Sequence, residues 1–197
     1  GGRRGRCRPG AIALGDEILV LESSRALVNR LCPPADQAFG LKIVEGQGNI
    51  GFAAGCNLGA AQADAPYLAF VNPDCIVSRG SLARLRDVLR ATPDIWMVTP
   101  RLVGPDGSPE RGTPRAILTP WVALVELLQL WRLAPRHPTF QRLNLYSTDA
   151  YWRGGPVPAI SGAFMMLPAG RFADVGGFDE RYFLHVEDLD FCLALAR

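Results

Sequence analysis

Glu187, Asp188 and Asp190 set three carboxylates within four residues, and a fourth, Asp74, stands where an apolar run ends. Crowded like charges favour proton uptake or metal ligation, so the cluster suits a general base or a metal ligand. An acidic helix start is the alternative, because the helix dipole stabilises carboxylates there; both can hold at once. Tyr67-Leu68-Ala69-Phe70-Val71 reads as a buried strand, and Asn72-Pro73-Asp74 turns at its end. Ligands of open α/β sheets bind beyond the carboxyl ends of strands. A carboxylate at that edge suits a hard divalent cation, which takes oxygen ligands and bridges to phosphates. The bland reading is an ordinary turn, since Asn, Pro and Asp all form turns. Upstream, Gly48-Asn49-Ile50-Gly51-Phe52-Ala53-Ala54-Gly55-Cys56-Asn57-Leu58-Gly59 is rich in small residues that let backbone approach a ligand or a neighbouring element. Asn49 and Asn57 add amide groups, and the N-terminus of a following helix favours anions. The glycine spacing is not the dinucleotide fingerprint, and no Walker Gly-Lys-Ser/Thr occurs.

Placing these residues requires strands that stop, and helices that start, beside them. Strands are expected over 17–21, 41–44, 67–71, 95–98 and 163–167, and helices over 24–31, 53–63, 80–91, 120–133, 170–175 and 188–197. Within 80–91, Leu82, Leu85, Val88 and Leu89 recur at helical spacing and give one buried face. The alternation argues for an α/β layered fold with a mostly parallel central sheet flanked by helices. A length of 197 residues suits one domain with an ample core, and 48% hydrophobic with 20% charged residues is ordinary for a globular chain. Residues 1–14 read as a disordered basic tail and 15–197 as the folded domain. A net charge of +2 gives no reason to expect nucleic acid as a partner. Five cysteines, at 7, 32, 56, 75 and 192, form no C-x-x-C pair and argue against a disulfide framework or zinc site. Cys56, Cys75 and Cys192 read as buried thiols of a reducing compartment. The N-terminus lacks the apolar run of a signal peptide.

Further motifs stand in a fixed order along the chain. Asn49-Ile50-Gly51-Phe52-Ala53-Ala54-Gly55-Cys56-Asn57 is followed by Val71-Asn72-Pro73-Asp74 and by Pro100-Arg101-Leu102-Val103-Gly104-Pro105-Asp106-Gly107-Ser108. Then come Ser161-Gly162-Ala163, Gly176-Gly177-Phe178-Asp179-Glu180-Arg181-Tyr182-Phe183 and Glu187-Asp188-Leu189-Asp190. In this order and register the chain, from about residue 40 to 197, resembles the inverting glycosyltransferases of family 2, within them the bacterial rhamnosyltransferase-like branch. Any one motif is weak; together they are specific.

The resemblance implies a GT-A fold and a role for each matched position. Asp74, with Asn72 beside it, is the counterpart of the family's D-x-D motif and would hold Mg²⁺ or Mn²⁺ against the donor diphosphate. Asp188 would be the general base that takes the acceptor hydroxyl proton, with Glu187 beside it and Asp190 orienting the loop or touching the acceptor. Asn49, Gly51 and Gly55 would shape the nucleotide side, and Ser161, Gly162 and Ala163 the donor-sugar and acceptor region. The implied reaction moves a sugar, rhamnose among the candidates, from a nucleoside diphosphate to a saccharide or lipid-linked saccharide in cell-surface polysaccharide synthesis. The implied place is the cytoplasm, with peripheral contact at the inner face of the plasma membrane. Its transition state is oxocarbenium-like; one base opposite the leaving group gives inversion, and the cation takes the role of a glycosidase's acid.

The chain also departs from the family pattern. Glu22 or Ser23 falls where a base-contacting Asp is expected, the family's opening strand is not evident, and the final helix stops at Arg197. The resemblance therefore implies a domain incomplete at both ends. A truncated or degenerate, non-catalytic carbohydrate- or nucleotide-binding relative is the alternative; the Glu22 region favours it, and Asp74 with Glu187 and Asp188 opposes it. An unrelated nucleotidyltransferase-like enzyme would share Asp74 but not the segments at 161–163 and 176–180.

Several side chains keep two readings. Arg101, Arg111 and Arg115 read as solvated surface, with an anionic donor or lipid phosphate as the alternative. The 120–133 helix is apolar except for Glu126, Gln129 and Arg132, and is shorter than the ~20 apolar residues a bilayer span needs. It is a core or dimer-facing helix, or an interfacial one with Trp121 and Trp131 at headgroup level and Arg132, Arg136 and His137 on anionic lipid. Trp152 is a candidate acceptor platform or a packed aromatic. His185, just before Glu187, is a candidate acceptor or metal contact, with packing the stronger reading.

Overall fold

In the computed structural model the described residues are 12–14, 17–21, 40–44, 46–72, 75, 77–78, 80–104, 106–108, 110, 114–134, 137–140, 142–145 and 154–196. Asp74 and Trp152 lie outside them, as do Glu22, Ser23, Arg111, Arg136 and the helix expected over 24–31. The chain divides into two compact units, residues 1–100 with 162–187, and residues 101–161 with 188–197. The sequence reading takes 15–197 as one domain.

The first unit begins earlier than the sequence suggests. Strand β1 (Ile12–Leu14) pairs antiparallel with β2 (Glu17–Leu21), so structure starts inside the 14 residues read as a tail. Gly15-Asp16 is the two-residue link, a hairpin signal that forces the antiparallel sense. β2 pairs parallel with β3 (Gly40–Val44). Helix α1 (Phe52–Ala60) follows and buries Ala53, Cys56 and Gly59, three small residues on one stripe. β4 (Tyr67–Val71) pairs antiparallel with β5 (Phe164–Pro168), and Val98 bridges Met166 on the other side of β5. Among the described ladders only one is parallel, so the mostly parallel sheet is not their pattern. The strand expected over 95–98 is reduced to that single bridge at Val98.

Burial explains why β4 and β5 are apolar throughout. Leu68, Ala69 and Phe70 on β4, and Phe164, Met165, Met166 and Leu167 on β5, are all buried. Helix α2 (Ser81–Ala91) lays Leu85 and Leu89 inward, while Val88, expected on the same face, is exposed. Helix α4 (Ala169–Asp174; α3, Pro120–Leu127, belongs to the other unit) buries Phe172 and ends at Gly176 and Gly177, both left-handed. Gly176 N donates to Ala173 O and Gly177 N to Phe172 O, the paired bonds of a Schellman stop. Phe70, Phe172 and Phe178 form a ring cluster with centroids 5.2 to 5.7 Å apart, mostly edge-to-face.

The second unit is built on loops. Gly104 N donates to Ser108 O, and the Asp106 carboxylate accepts from Ser108 N and Oγ, so Asp106, Gly107 and Ser108 sit in a tight turn. Those hydrogen bonds hold the Asp106 carboxyl below the usual carboxylate range. Helix α3 (Pro120–Leu127) starts on Thr119, whose Oγ1 accepts from Val122 N, with Pro120 at its first position. The helix expected to run to 133 stops after Leu127. Gln129 adopts left-handed backbone (φ 53°), and Leu130–Arg132 continues as a single 3-10 turn. Helix α5 (Glu187–Leu195) buries Leu189, Phe191, Cys192 and Leu195. Among the described residues no helix is long and apolar enough to cross a membrane.

Candidate active site

Arg115 is the hub of the second unit. Its N–H donates to Ala159 O at 2.9 Å and its carbonyl accepts from Ala159 N at 3.1 Å. On the other flank Ala116 N donates to Leu143 O and Leu145 N to Pro114 O, so the Arg115 backbone is fastened between two segments. Its side chain reaches helix α5: Nη1 donates to Asp188 Oδ2 at 3.0 Å and Oδ1 at 3.3 Å. Asp188 Oδ1 also accepts from Leu189 N at 2.8 Å. The Asp188 side chain is 7% exposed and that of Arg115 26%. Removing one partner of a fully buried pair costs ~3–5 kcal/mol; the value here is lower because Arg115 reaches solvent. The surface reading of Arg115 is thus corrected: a contact 73 positions away holds it. Arg115 Nε is buried without an acceptor among the described residues, which costs roughly 1–3 kcal/mol unless something pairs with it.

The first unit gathers most of the other expected residues. Asn72 N donates to Ala163 O at 2.8 Å, extending the β4 and β5 ladder by one pair and joining two expected donor residues. Cys75 N donates to Asn72 O, and Cys75 Sγ to Ala163 O. Gly162 is buried beside Ala163, and Ser161, at the edge of the second unit, is buried too. Asn49 is exposed and its Oδ1 accepts a 3.4 Å bond from Gly51 N. Gly55 N donates to Gly51 O in the first turn of α1.

Asn57 acts differently from what its place in the motif suggests. Its Nδ2 donates to Phe178 O and to Glu180 Oε1, each at 2.9 Å, and its Oδ1 accepts from Phe178 N at 2.9 Å. The amide therefore clasps the Gly-Gly-Phe-Asp-Glu segment. Gly51 sits against the same segment further on, where Phe52 N donates to Phe183 O. The two motifs owe their residue types partly to each other.

Glu187 is buried, Asp190 is half-buried on α5, and His185 is exposed. His185 and Val186 both adopt left-handed backbone at φ 73°, a costly conformation for a β-branched residue such as Val186. Burial, and secondarily the Glu187 charge, push the Cys56 thiol far up, and burial pushes Cys192 up to about 11. Neither is a nucleophile at neutral pH. Cys75, expected to be buried, is half-exposed. Among the described residues no three His, Cys, Asp or Glu side chains are grouped to hold a metal ion.

The family model for glycosyl transferase family 2 matches residues 21–168. The chain belongs to glycosyltransferase family 2. Within this family it is 29% identical over 134 residues to the N-acetylglucosaminyl-diphospho-decaprenol L-rhamnosyltransferase of Mycobacterium tuberculosis, in two strains, covering 63% of this chain and 39% of the relative. It is 22% identical over 184 residues to the low-salt glycan biosynthesis hexosyltransferase Agl10 of Haloferax volcanii, covering 91% of this chain and 53% of that protein. The chain thus spans between about two-fifths and half the length of these curated relatives. Its family implies the GT-A fold, and the rhamnosyltransferase-like resemblance agrees with the relatives' names.

Proposed function

We propose that this chain carries the donor and base residues of an inverting glycosyltransferase acting in cell-surface glycan synthesis. The observation that supports it most directly is the Asp188 carboxylate, buried at the first turn of α5 and fixed from the side by Arg115. A general base needs a fixed carboxylate, and such catalysis typically contributes ~10²–10⁴-fold. Asp188 takes the proton from the acceptor hydroxyl as that oxygen attacks the anomeric carbon, and attack opposite the leaving diphosphate inverts the centre. The donor is a nucleoside-diphosphate sugar, with a 6-deoxyhexose such as rhamnose favoured by the name of one relative, matched in two strains. The acceptor is a saccharide or lipid-linked saccharide.

Asp74 is the residue that would hold Mg²⁺ or Mn²⁺. Its oxygen ligand suits these hard cations. When bound, the cation neutralises charge on the leaving diphosphate. Calorimetric titration with dTDP and UDP, with and without Mn²⁺, tests this. Cation-dependent binding is expected, weakened roughly tenfold or more by Asp74→Asn, the loss of one charged contact. Equal affinity and equal cation dependence in the variant would remove Asp74 from the donor site.

Peripheral membrane contact belongs to the same reading. Leu127 and Leu133 are each 77% exposed, Trp121, Leu124 and Leu128 are also exposed, and Arg132 and Arg142 lie over the Trp131 ring. Apolar side chains beside cations suit an anionic lipid surface. The protein should sediment with phosphatidylglycerol vesicles, and the double substitution Leu127→Glu, Leu133→Glu should release it. Sedimentation unchanged by the substitutions would clear this face of the role.

A further inference from the structure

The Arg115 guanidinium is only partly used. Nη1 serves both oxygens of Asp188, while Nε on the far edge is buried with no acceptor among the described residues. The backbone of Arg115 is fastened on both flanks, by Ala159 and by residues 143 and 145. The side chain therefore springs from a fixed point and is, as a whole, about a quarter exposed, although Nε itself is covered. A guanidinium offers its N–H groups as a planar fork that matches two oxygens of a phosphate.

We propose that Arg115 is a phosphate-binding residue as well as the positioning residue of Asp188. Nη1 stays on the carboxylate, and the Nε edge takes an oxygen of a sugar-linked phosphate. Two substrates of the proposed reaction carry that group: the donor diphosphate, and an acceptor sugar whose own phosphate lies one ring away from the attacking hydroxyl. In either case one side chain fixes the distance between a substrate phosphate and the carboxylate. The positioning half rests on the reading of Asp188 as the base; the binding half does not.

Arg115→Met and Arg115→Lys in the complete protein test it, with Asp188→Asn as a third variant. The probes are dTDP and UDP with Mn²⁺ for the donor, and a sugar 1-phosphate against its neutral methyl glycoside for the acceptor. Arg115→Met should lose roughly ten- to a hundredfold in affinity for one phosphate-bearing probe and nothing for the methyl glycoside. Which probe suffers names the source of the phosphate. Arg115→Lys, keeping the charge without the fork, should recover part of the loss. If Arg115→Met unfolds, Arg115→Lys decides: a several-fold loss confined to a phosphate probe supports the proposal, and unchanged binding overturns it. Wild-type affinity of folded Arg115→Met for every phosphate probe also overturns it. Asp188→Asn should keep phosphate binding while losing transfer. Retained transfer there would sink the base assignment and leave the phosphate site standing.

Discussion

Asp188→Asn should lower the transfer rate of the complete protein by about 10²–10⁴-fold while leaving nucleotide binding within a few-fold of wild type. The amide keeps one oxygen for Leu189 N but puts an N–H₂ group or a single oxygen opposite Arg115 Nη1, where two carboxylate oxygens now accept. Neither arrangement takes up a proton at neutral pH. The variant should also lose some stability, because Arg115 loses its counter-charge. Thermal unfolding and a single-turnover transfer assay separate the two effects. A folded variant with wild-type turnover would place the base elsewhere.

Gly51→Ala should cost roughly 2–5 kcal/mol of folding stability, from backbone strain and steric overlap together. Gly51 has φ 87° and ψ 170°, a region essentially closed to residues with a Cβ. A Cβ there would stand 2.5 Å from Phe183 O and 3.0 Å from Phe183 Cδ2. The first of these atoms is backbone, and it also accepts from Phe52 N at 3.1 Å, so it cannot retreat without breaking that bond. At about 2–4 °C per kcal/mol for a chain of this size, the melting midpoint should fall by about 4–20 °C. Gly177→Ala should behave alike, since its Cβ would meet Asn57 Oδ1 at 2.6 Å at φ 78°. A Gly51→Ala protein that melts with the wild type would mean that the approach to Phe183 is relaxed in solution.

Local patterns in the sequence were good guides where structure is local. The apolar run at 67–71 is a strand with those bounds, and the short helices beginning near 52, 81, 169 and 187 lie within a residue or two of their expected starts. The hairpin signal Gly15-Asp16 was present and outweighed by the arginines before it, which made Ile12, Ala13 and Leu14 look like the end of a tail. Periodicity could not see the break at Gln129, because a left-handed residue leaves no mark on the spacing of Leu and Trp. The sense of β5 was equally hidden: pairing direction depends on how a long connection returns, not on the strand's own residues. Motif order brought Asn72 and Ala163 into one expected site, and their hydrogen bond joins them. The partnership of Arg115 with Asp188 had no local trace, since neither neighbourhood encodes the other. The only hint was Arg115 lying between Pro114 and the apolar Ala116 and Ile117, a setting unlike a solvated loop.

The clasp made by Asn57 also sets a timetable. Asn57 and Phe178 are 121 positions apart. At ~5–20 residues per second, a ribosome takes on the order of 6–24 s to travel between them. During that interval the side-chain amide of Asn57 lacks its receiver, and Phe70 has neither Phe172 nor Phe178 to cover it. Its strand is still waiting for β5. The nascent chain therefore carries an exposed apolar strand for seconds, where a helical bundle would close in far less time. Yield of this protein in a cell should depend on translation speed and on chaperones that shield such a strand, more than on the stability of the finished fold.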